Sequence, residues 1–278
     1  MNAFRKWPGY LWAFLNGVLL TFAVIFFVQS KFIASQIQYI VHSVMTADMS
    51  VEQKALALLG EAHAIVRFGA RHVDETLPQV FQRLPVRSFD EAVILPVTGC
   101  GDAAGILYRL LDEAGIPPRI AQMRCGTLDG CHIVVEGKIG GRWVVFDPLF
   151  GFAFRNGNNQ LATFREVSAD WPRFRQQVPA GYPAAFAYDG VRYTNWEKIP
   201  VLMPFLQQVL VAAVGEERTR DISLRSYAMV PNRLYFFLCL AGLVLVNGVG
   251  LALWRLRPAA GLAESAELPG EAEASLPY

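Results

Sequence analysis

The sequence predicts an α+β domain held between two membrane-spanning helices. Three observations carry this reading. Residues 11–28 and 234–254 are uncharged apolar stretches, each meeting the roughly 17–25 residues that a bilayer-crossing helix needs. Between them, residues 103–114 repeat apolar side chains at helical spacing, and 119–147 read as strands joined by glycine turns. The composition agrees, with 53% hydrophobic residues and a mean hydropathy of +0.29, high for a soluble chain.

Length and charge bound the function. The 278 residues suit one folded domain of moderate size plus accessory segments. A formal net charge of +1 argues against nucleic acid as a partner. Four cysteines (100, 125, 131 and 239) are too few for a disulfide-built scaffold. No internal repeat is visible.

The first span, 11–29, follows Arg5 and Lys6, with Trp7, Tyr10 and Trp12 at the interface. Its apolar run exceeds the ~7–15 residues of a signal-peptide core, and no small-x-small cleavage site follows, so it reads as an uncleaved anchor. The second span, 234–254, contains Asn247 beside Gly248 and Gly250. This reads most simply as one tolerated amide, with a helix-packing face as the alternative. Arg255 and Arg257 follow at once. Basic residues on both outer flanks place both termini in the cytoplasm. Lys31, Arg225 and Arg233 lie on the other side, but charge within a long translocated segment counts little. The reading is therefore a two-pass inner-membrane protein. It has a cytoplasmic N-terminus (1–10), an extracytoplasmic, periplasmic domain (30–233) and a disordered cytoplasmic tail (255–278) poor in large apolar groups.

Within the domain, 31–49 continues as a helix emerging from the membrane or lying at its surface, with His42 on a partly buried face. Ser50 and Gln53 form a capping box that starts a second helix running to about Phe68, with Gly69 as its stop. Ala55, Leu58, Leu59, Ala62 and Ile65 share its apolar face, while His63 and Arg67 read as surface or satisfied core groups. Residues 71–95, broken by Pro78 and Pro85, read as irregular loops leading into the site, with Gln79 and Gln82 as upstream amides.

The stretch from Thr98 to Gly151 carries the chemistry. Gly99-Cys100-Gly101-Asp102 precedes a helix that Gly115 and Pro117-Pro118 end. Cys100 thus sits at a helix N-terminus, where unpaired N–H groups and the dipole favour thiolate, and the same N–H groups can hold an oxyanion. Asp102 reads as a helix-capping residue. Two strands follow, joined by Gly140-Gly141. His132 lies on the first and Asp147 closes the second, and the two read as cross-strand neighbours. An aspartate there would fix the imidazole tautomer and steady the imidazolium. A thiolate nucleophile, a histidine acid–base and an orienting carboxylate are the parts of acyl transfer through a thioester, which needs neither cofactor nor metal.

This stretch resembles the transglutaminase-like superfamily, papain-like cysteine enzymes of circularly permuted type. The matching residues are Gly99-x-Cys100, Ala114-Gly115-Ile116-Pro117-x-Arg119, His132-x-x-x-Glu136 and Trp143-x-x-x-Asp147-Pro148, preceded by the helix 53–58. The resemblance covers about 50–151 as the core, with 152–233 as extensions. It implies an antiparallel sheet behind the cysteine helix and a triad of Cys100, His132 and Asp147. It also implies a peptide or protein substrate, attacked as a protease, amidase or transpeptidase would. The competing expectation is a non-catalytic scaffold or binding module, partnering other membrane proteins of an envelope or polysaccharide-export assembly. The family's usual aromatic two residues after the histidine is Val134 here. Cys125 and Cys131 flank a turn and read either as a disulfide in an oxidising compartment or as two free thiols.

Residues 152–200, rich in aromatics, read as irregular extensions with short strands packing on the core, their aromatics serving core packing or membrane-interface contact ahead of a carbohydrate-stacking surface. Residues 199–214, interrupted by Pro204, Gln207 and Gln208, read as a helix on the membrane surface or in the core, not a third span that would invert the C-terminus.

Overall fold

Local signals in the sequence place most of the helices. The computed structural model describes residues 7–76, 99–126, 128–228 and 231–255. The loops read at 71–95 with Gln79 and Gln82 (beyond Thr76), the N-terminus before Trp7 and the tail beyond Arg255 lie outside the described residues. By backbone proximity the chain divides into two units, residues 1–25 with 236–278, and residues 26–235.

In the first unit, helix α1 (Trp7–Val44) and the last helix, α9 (Pro231–Arg255), contribute their most apolar parts. Both are long and apolar enough to cross a membrane, over Gly9–Val44 and Asn232–Leu253. Asn247 is not a lone amide. Its Nδ2 donates to Asn16 Oδ1 at 2.7 Å and to the Leu243 carbonyl at 2.7 Å. The simpler sequence reading missed that the other helix carries a matching amide, so both polar groups are satisfied. At Gly250 a Cβ would lie 2.9 Å from the Trp12 indole nitrogen, so glycine is what permits this approach.

The second unit is the α+β domain. The far end of α1 belongs to its core: Ile33, Ile37 and Val41, four residues apart on one face, are buried. Helix α2 (Val51–Thr76) begins at the capping box, with Gln53 N–H donating to Ser50 Oγ at 3.2 Å and Ser50 N–H to Gln53 Oε1 at 2.8 Å. It runs through Gly69 to Thr76, beyond the expected stop. One glycine costs a helix only about 1 kcal/mol, and no proline intervenes before position 78. Helix α3 (Cys100–Glu113) buries Ile106, Leu107, Leu110 and Leu111 completely, each worth on the order of 1.5–3 kcal/mol. Gly115 ends it at φ +72°, with Ile116 N–H closing on the Leu111 carbonyl at 2.9 Å, a Schellman stop.

Five strands form one antiparallel sheet in the order β4-β3-β2-β1-β5. They are β1 (Pro118–Cys125), β2 (Leu128–Ile139), β3 (Arg142–Asp147), β4 (Phe152–Ala153) and β5 (Gly190–Arg192). Gly140 and Gly141 both take positive φ, +56° and +82°, which lets a two-residue turn match the strand twist. Alternation gives the sheet two covered faces. Ile120, Ile133, Val135, Val144 and Phe146 face the helices α1–α3. Ala121, Met123, Val134 and Val145 face a second core containing Phe154, Phe164, Phe174 and Tyr188. That core is built by α4 (Phe164–Ala169), α5 (Trp171–Phe174) and the segment leading to β5. Of the aromatics in 152–200, Phe154, Phe164, Phe174 and Tyr188 are buried in this core and Phe152, Trp171, Tyr182, Phe186 and Tyr193 pack against it, as expected for core packing.

The motif residues Arg119, Glu136 and Trp143 serve the sheet. Arg119 lies opposite Glu136 in the β1–β2 ladder, and its Nε donates to Glu136 Oε2 at 2.8 Å. Its guanidinium stacks between the rings of Trp143 (4.3 Å) and Tyr193 (3.9 Å). Breaking such a buried pair by removing one partner costs about 3–5 kcal/mol, so it locks the register of three strands. Beyond β5 come α6 (Leu202–Val214), α7 (Glu216–Asp221) and α8 (Leu224–Ala228). Helix α6 buries none of its residues and exposes Leu202, Phe205 and Val209, so it is not a core helix. It is too short to be a candidate span.

Candidate active site

Cys100 is the first residue of α3, and Gly99, in extended conformation (φ −139°, ψ 164°), is its N-cap. No side chain caps this helix. Asp102 lies in the first turn and is not the capping residue that the sequence suggested, because the cap falls on Gly99. The first-turn N–H groups therefore point toward the sulfur and the space beside it.

His132 and Asp147 come together on one sheet face, the one that alternation gives to Val134 and Val145. They are not directly opposite. The β2–β3 ladder pairs Val135 with Phe146, so the next step sets Asp147 against Val134, and His132 is its diagonal neighbour on the same face. His132 Nε2 donates to Asp147 Oδ2 at 2.8 Å, and both side chains are about 1% exposed. Val134, two residues after His132, is fully buried in the second core. Phe186 supplies the aromatic partner, stacking on the imidazole at 4.4 Å with planes 12° apart. Phe150 and Tyr182 meet the ring edge-on at 6.0 and 6.5 Å.

Asp147 is held from several sides. Tyr182 O–H donates to Oδ2 at 3.0 Å, Phe150 N–H to Oδ1 at 3.3 Å and Gly151 N–H to the Asp147 carbonyl at 2.8 Å. The turn 148–151 is braced from α2, where His63 Nδ1 lies 2.9 Å from the Leu149 carbonyl and so carries the proton. Gly151 stands at φ +70°, and a Cβ there would come within 2.6 Å of the His63 ring. His63 is thus a satisfied group, as the sequence suggested, but the turn it braces is the one that presents Asp147. His42 is exposed, not partly buried.

With Nε2 committed to Asp147, His132 Nδ1 has no partner at ordinary hydrogen-bond distance among the described residues and is the nitrogen left to interact with Cys100. Burial pushes the Cys100 thiol up. The His132 hydrogen bond and charge, then the backbone N–H groups of Ile133 and Gly101, outweigh burial and hold it below the ordinary thiol value. Burial likewise pushes His132 down. The Asp147 hydrogen bond, the Cys100 sulfur and the two charges overcome that and raise it to about 9. Burial and the Asp147 charge push Tyr182 and Tyr188 above the ordinary phenol range, so both stay neutral donors. Both shifts run in the direction of a thiolate–imidazolium pair.

Cys125 and Cys131 form a disulfide with Cα atoms 5.9 Å apart, tying β1 to the strand that carries His132. Cys100 and Cys239 remain free. Among the described residues no three His, Cys, Asp or Glu groups converge to hold a metal ion. The sequence missed Tyr182 and Phe186. They come from an irregular segment without periodicity, and only its aromatic content marked it.

Comparisons with protein-family models, curated proteins and solved structures return no match to this chain.

Proposed function

We propose that the domain is a membrane-anchored cysteine acyl-transfer enzyme of the transglutaminase-like kind, with Cys100 as nucleophile, His132 as acid–base and Asp147 as orienting carboxylate. One observation carries the reading. The Cys100 thiol engages an imidazole whose other nitrogen is bound to a buried carboxylate, and the pair is shifted toward thiolate and imidazolium. The cysteine helix lying against an antiparallel sheet, and the order of the three residues, support the family resemblance.

The chemistry follows from these positions. The Cys100 thiolate adds to an amide carbonyl, and the oxyanion meets N–H groups of the first turn of α3. Imidazolium Nδ1–H then gives its proton to the leaving amine as the C–N bond breaks, leaving an acyl thioester. Neutral His132 next takes a proton from water or an acceptor amine, which attacks the thioester and returns the thiol. Asp147 keeps Nε2 protonated throughout. The substrate class is a peptide or isopeptide bond.

Two features support an extracytoplasmic, inner-membrane location: the basic outer flanks of both apolar helices and the Cys125–Cys131 disulfide. The apolar exposed face of α6 fits a helix resting on a bilayer. A second reading, a non-catalytic module in a membrane assembly, has its own observation in the aromatic cover over His132. An acyl-electrophile probe decides between them. The enzyme labels at Cys100, and labelling is lost in Cys100→Ala and reduced at least a hundredfold in His132→Ala. A folded wild-type domain that does not label overturns the enzyme reading.

A further inference from the structure

Asp147 closes β3 one step beyond Val135 and Phe146, the last paired residues of the β2–β3 ladder. That ladder does not orient its carboxylate, which turns about the Cβ–Cγ bond in a broad well. Three donors fix it instead. His132 Nε2 and the Tyr182 hydroxyl both reach Oδ2, at 2.8 and 3.0 Å, and Phe150 N–H reaches Oδ1 at 3.3 Å. Of the two restraints that do not come from His132 itself, the Tyr182 bond is the shorter.

Tyr182 is held independently of the pair it touches. It lies in segment 178–189, which is tied at both ends. Next to its start, Arg155 N–H donates to Gln177 Oε1 at 2.8 Å and Gln177 Nε2 to the Arg155 carbonyl at 2.9 Å. At its far end Gly126 N–H donates to Asp189 Oδ2 at 3.2 Å, and Tyr188 is fully buried with its ring 5.1 Å from those of Phe154, Phe164 and Trp171. Between these ties the chain makes two tight turns, with Tyr182 N–H on the Pro179 carbonyl at 3.1 Å and Phe186 N–H on the Pro183 carbonyl at 3.0 Å. The Tyr182 ring packs edge-on against Phe150 at 4.7 Å and Phe152 at 5.4 Å.

The direction of the Tyr182 bond follows from what each group can donate. A carboxylate only accepts, and a neutral phenol has one proton. That proton goes to Asp147, so Tyr188, whose hydroxyl lies 3.5 Å from that of Tyr182, is the donor in their contact. The two phenols form a one-way chain that ends on the oxygen His132 uses, and such a chain strengthens its last bond.

We propose that Tyr182 is a positioning residue of the acyl-transfer site: its hydroxyl pins Asp147 Oδ2 against His132 Nε2 and so keeps Nδ1 as the nitrogen available to Cys100. This rests on reading Cys100 as the nucleophile and His132 as its acid–base. Tyr182→Phe keeps the ring and removes the hydroxyl. The readout is the His132 midpoint in a pH titration of the full-length protein by histidine 13C NMR, with the signal identified by its loss in His132→Gln.

The midpoint is expected to fall by about half a pH unit or more, a drop of about threefold or more in the imidazolium-to-imidazole ratio. In an Asp147→Ala background the same substitution should leave the midpoint unmoved. An unchanged midpoint with Asp147 present overturns the proposal. A rise overturns it too, because Tyr182 would then compete with His132 for the oxygen. An equal fall in both backgrounds also overturns it, because the effect would then come from ring packing and not through the carboxylate. A measurement on the wild type needs no variant to fold: with tyrosine ring carbons labelled, the Tyr182 hydroxyl proton should exchange slowly with solvent, and exchange as fast as that of an exposed tyrosine overturns the bond. A folded wild type whose Cys100 does not label with the acyl electrophile overturns the acyl-transfer reading. That failure is distinct, because the His132 midpoint is measured without any reaction at Cys100.

Discussion

Replacing Asp147 by asparagine keeps the shape of the side chain and removes its charge. In the native site His132 titrates at about 9 against an ordinary 6.5, a preference for imidazolium of about 3 kcal/mol. Burial opposes that preference. The influences that overcome it are two from Asp147, its hydrogen bond and its charge, and two from Cys100, and the Asp147 hydrogen bond is the largest of the four. Asp147→Asn should therefore remove more than half of the preference, lowering the His132 midpoint by more than one pH unit and its imidazolium-to-imidazole ratio at pH 8 by at least about tenfold. The assay is a pH titration of 13C-labelled histidine by NMR. The chain has four histidines, and His132→Gln identifies the signal. A wild-type midpoint near 6.5, or a variant midpoint within a few tenths of the wild type, refutes the account of how this site holds its proton.

Three further outcomes follow from the same geometry. Gly151→Ala should lower the thermal midpoint, because it puts a Cβ at 2.6 Å from the His63 ring at φ +70°, with a cost of at least about 1–2 kcal/mol. In a His63→Ala background the steric part should vanish, so additive effects would disprove the clash. Urea unfolding against pH reads Cys100 and His132 against each other, because their shifts act on stability in opposite senses. The raised His132 contributes stability that is complete below about pH 6.5 and lost toward 9. The lowered Cys100 contributes in the opposite sense, present at high pH and lost as pH falls through its folded value. Cys100→Ala removes the opposing contribution, so its stability should decline more steeply than wild type as pH rises from about 6.5 toward 9, and identical profiles for the two proteins would contradict the ion pair. Finally, replacing Cys125 and Cys131 by serine should cost about 2 kcal/mol in unfolding free energy, and an unchanged urea midpoint under oxidising conditions would show that the bond is not formed.

The parts legible in the sequence were those with local signals. The capping box at Ser50, the Gly115 stop with its prolines and the Gly140-Gly141 turn each need only a few neighbouring residues, and each forms as read. Cys100 at a helix start followed from the same signals. The long-range parts were less legible. The fold class left open that Asp147 meets His132 on the diagonal, because that depends on the last paired step of a ladder. Arg119, Glu136 and Trp143 were visible as a pattern, yet their stacking with Tyr193 joins segments that share no local signal. Tyr182 and Phe186 sit on an irregular segment, where periodicity has nothing to read. The extension of α2 through Gly69 shows a weak local stop overridden by the helix around it.

The Cys125–Cys131 bridge also bears on how Cys100, the proposed nucleophile, would stay reduced. Cys100 precedes both partners in the chain, so an oxidising compartment offers it two wrong matches before the fold is complete. The native pair is separated by only six positions. The shortest competing loop, Cys100 to Cys125, is roughly four times longer, which disfavours its closure by about 1 kcal/mol, or several-fold in encounter frequency. The tight hairpin between β1 and β2 thereby acts as a kinetic decoy. It consumes the two thiols nearest to Cys100 in the chain early, leaving only the distant Cys239.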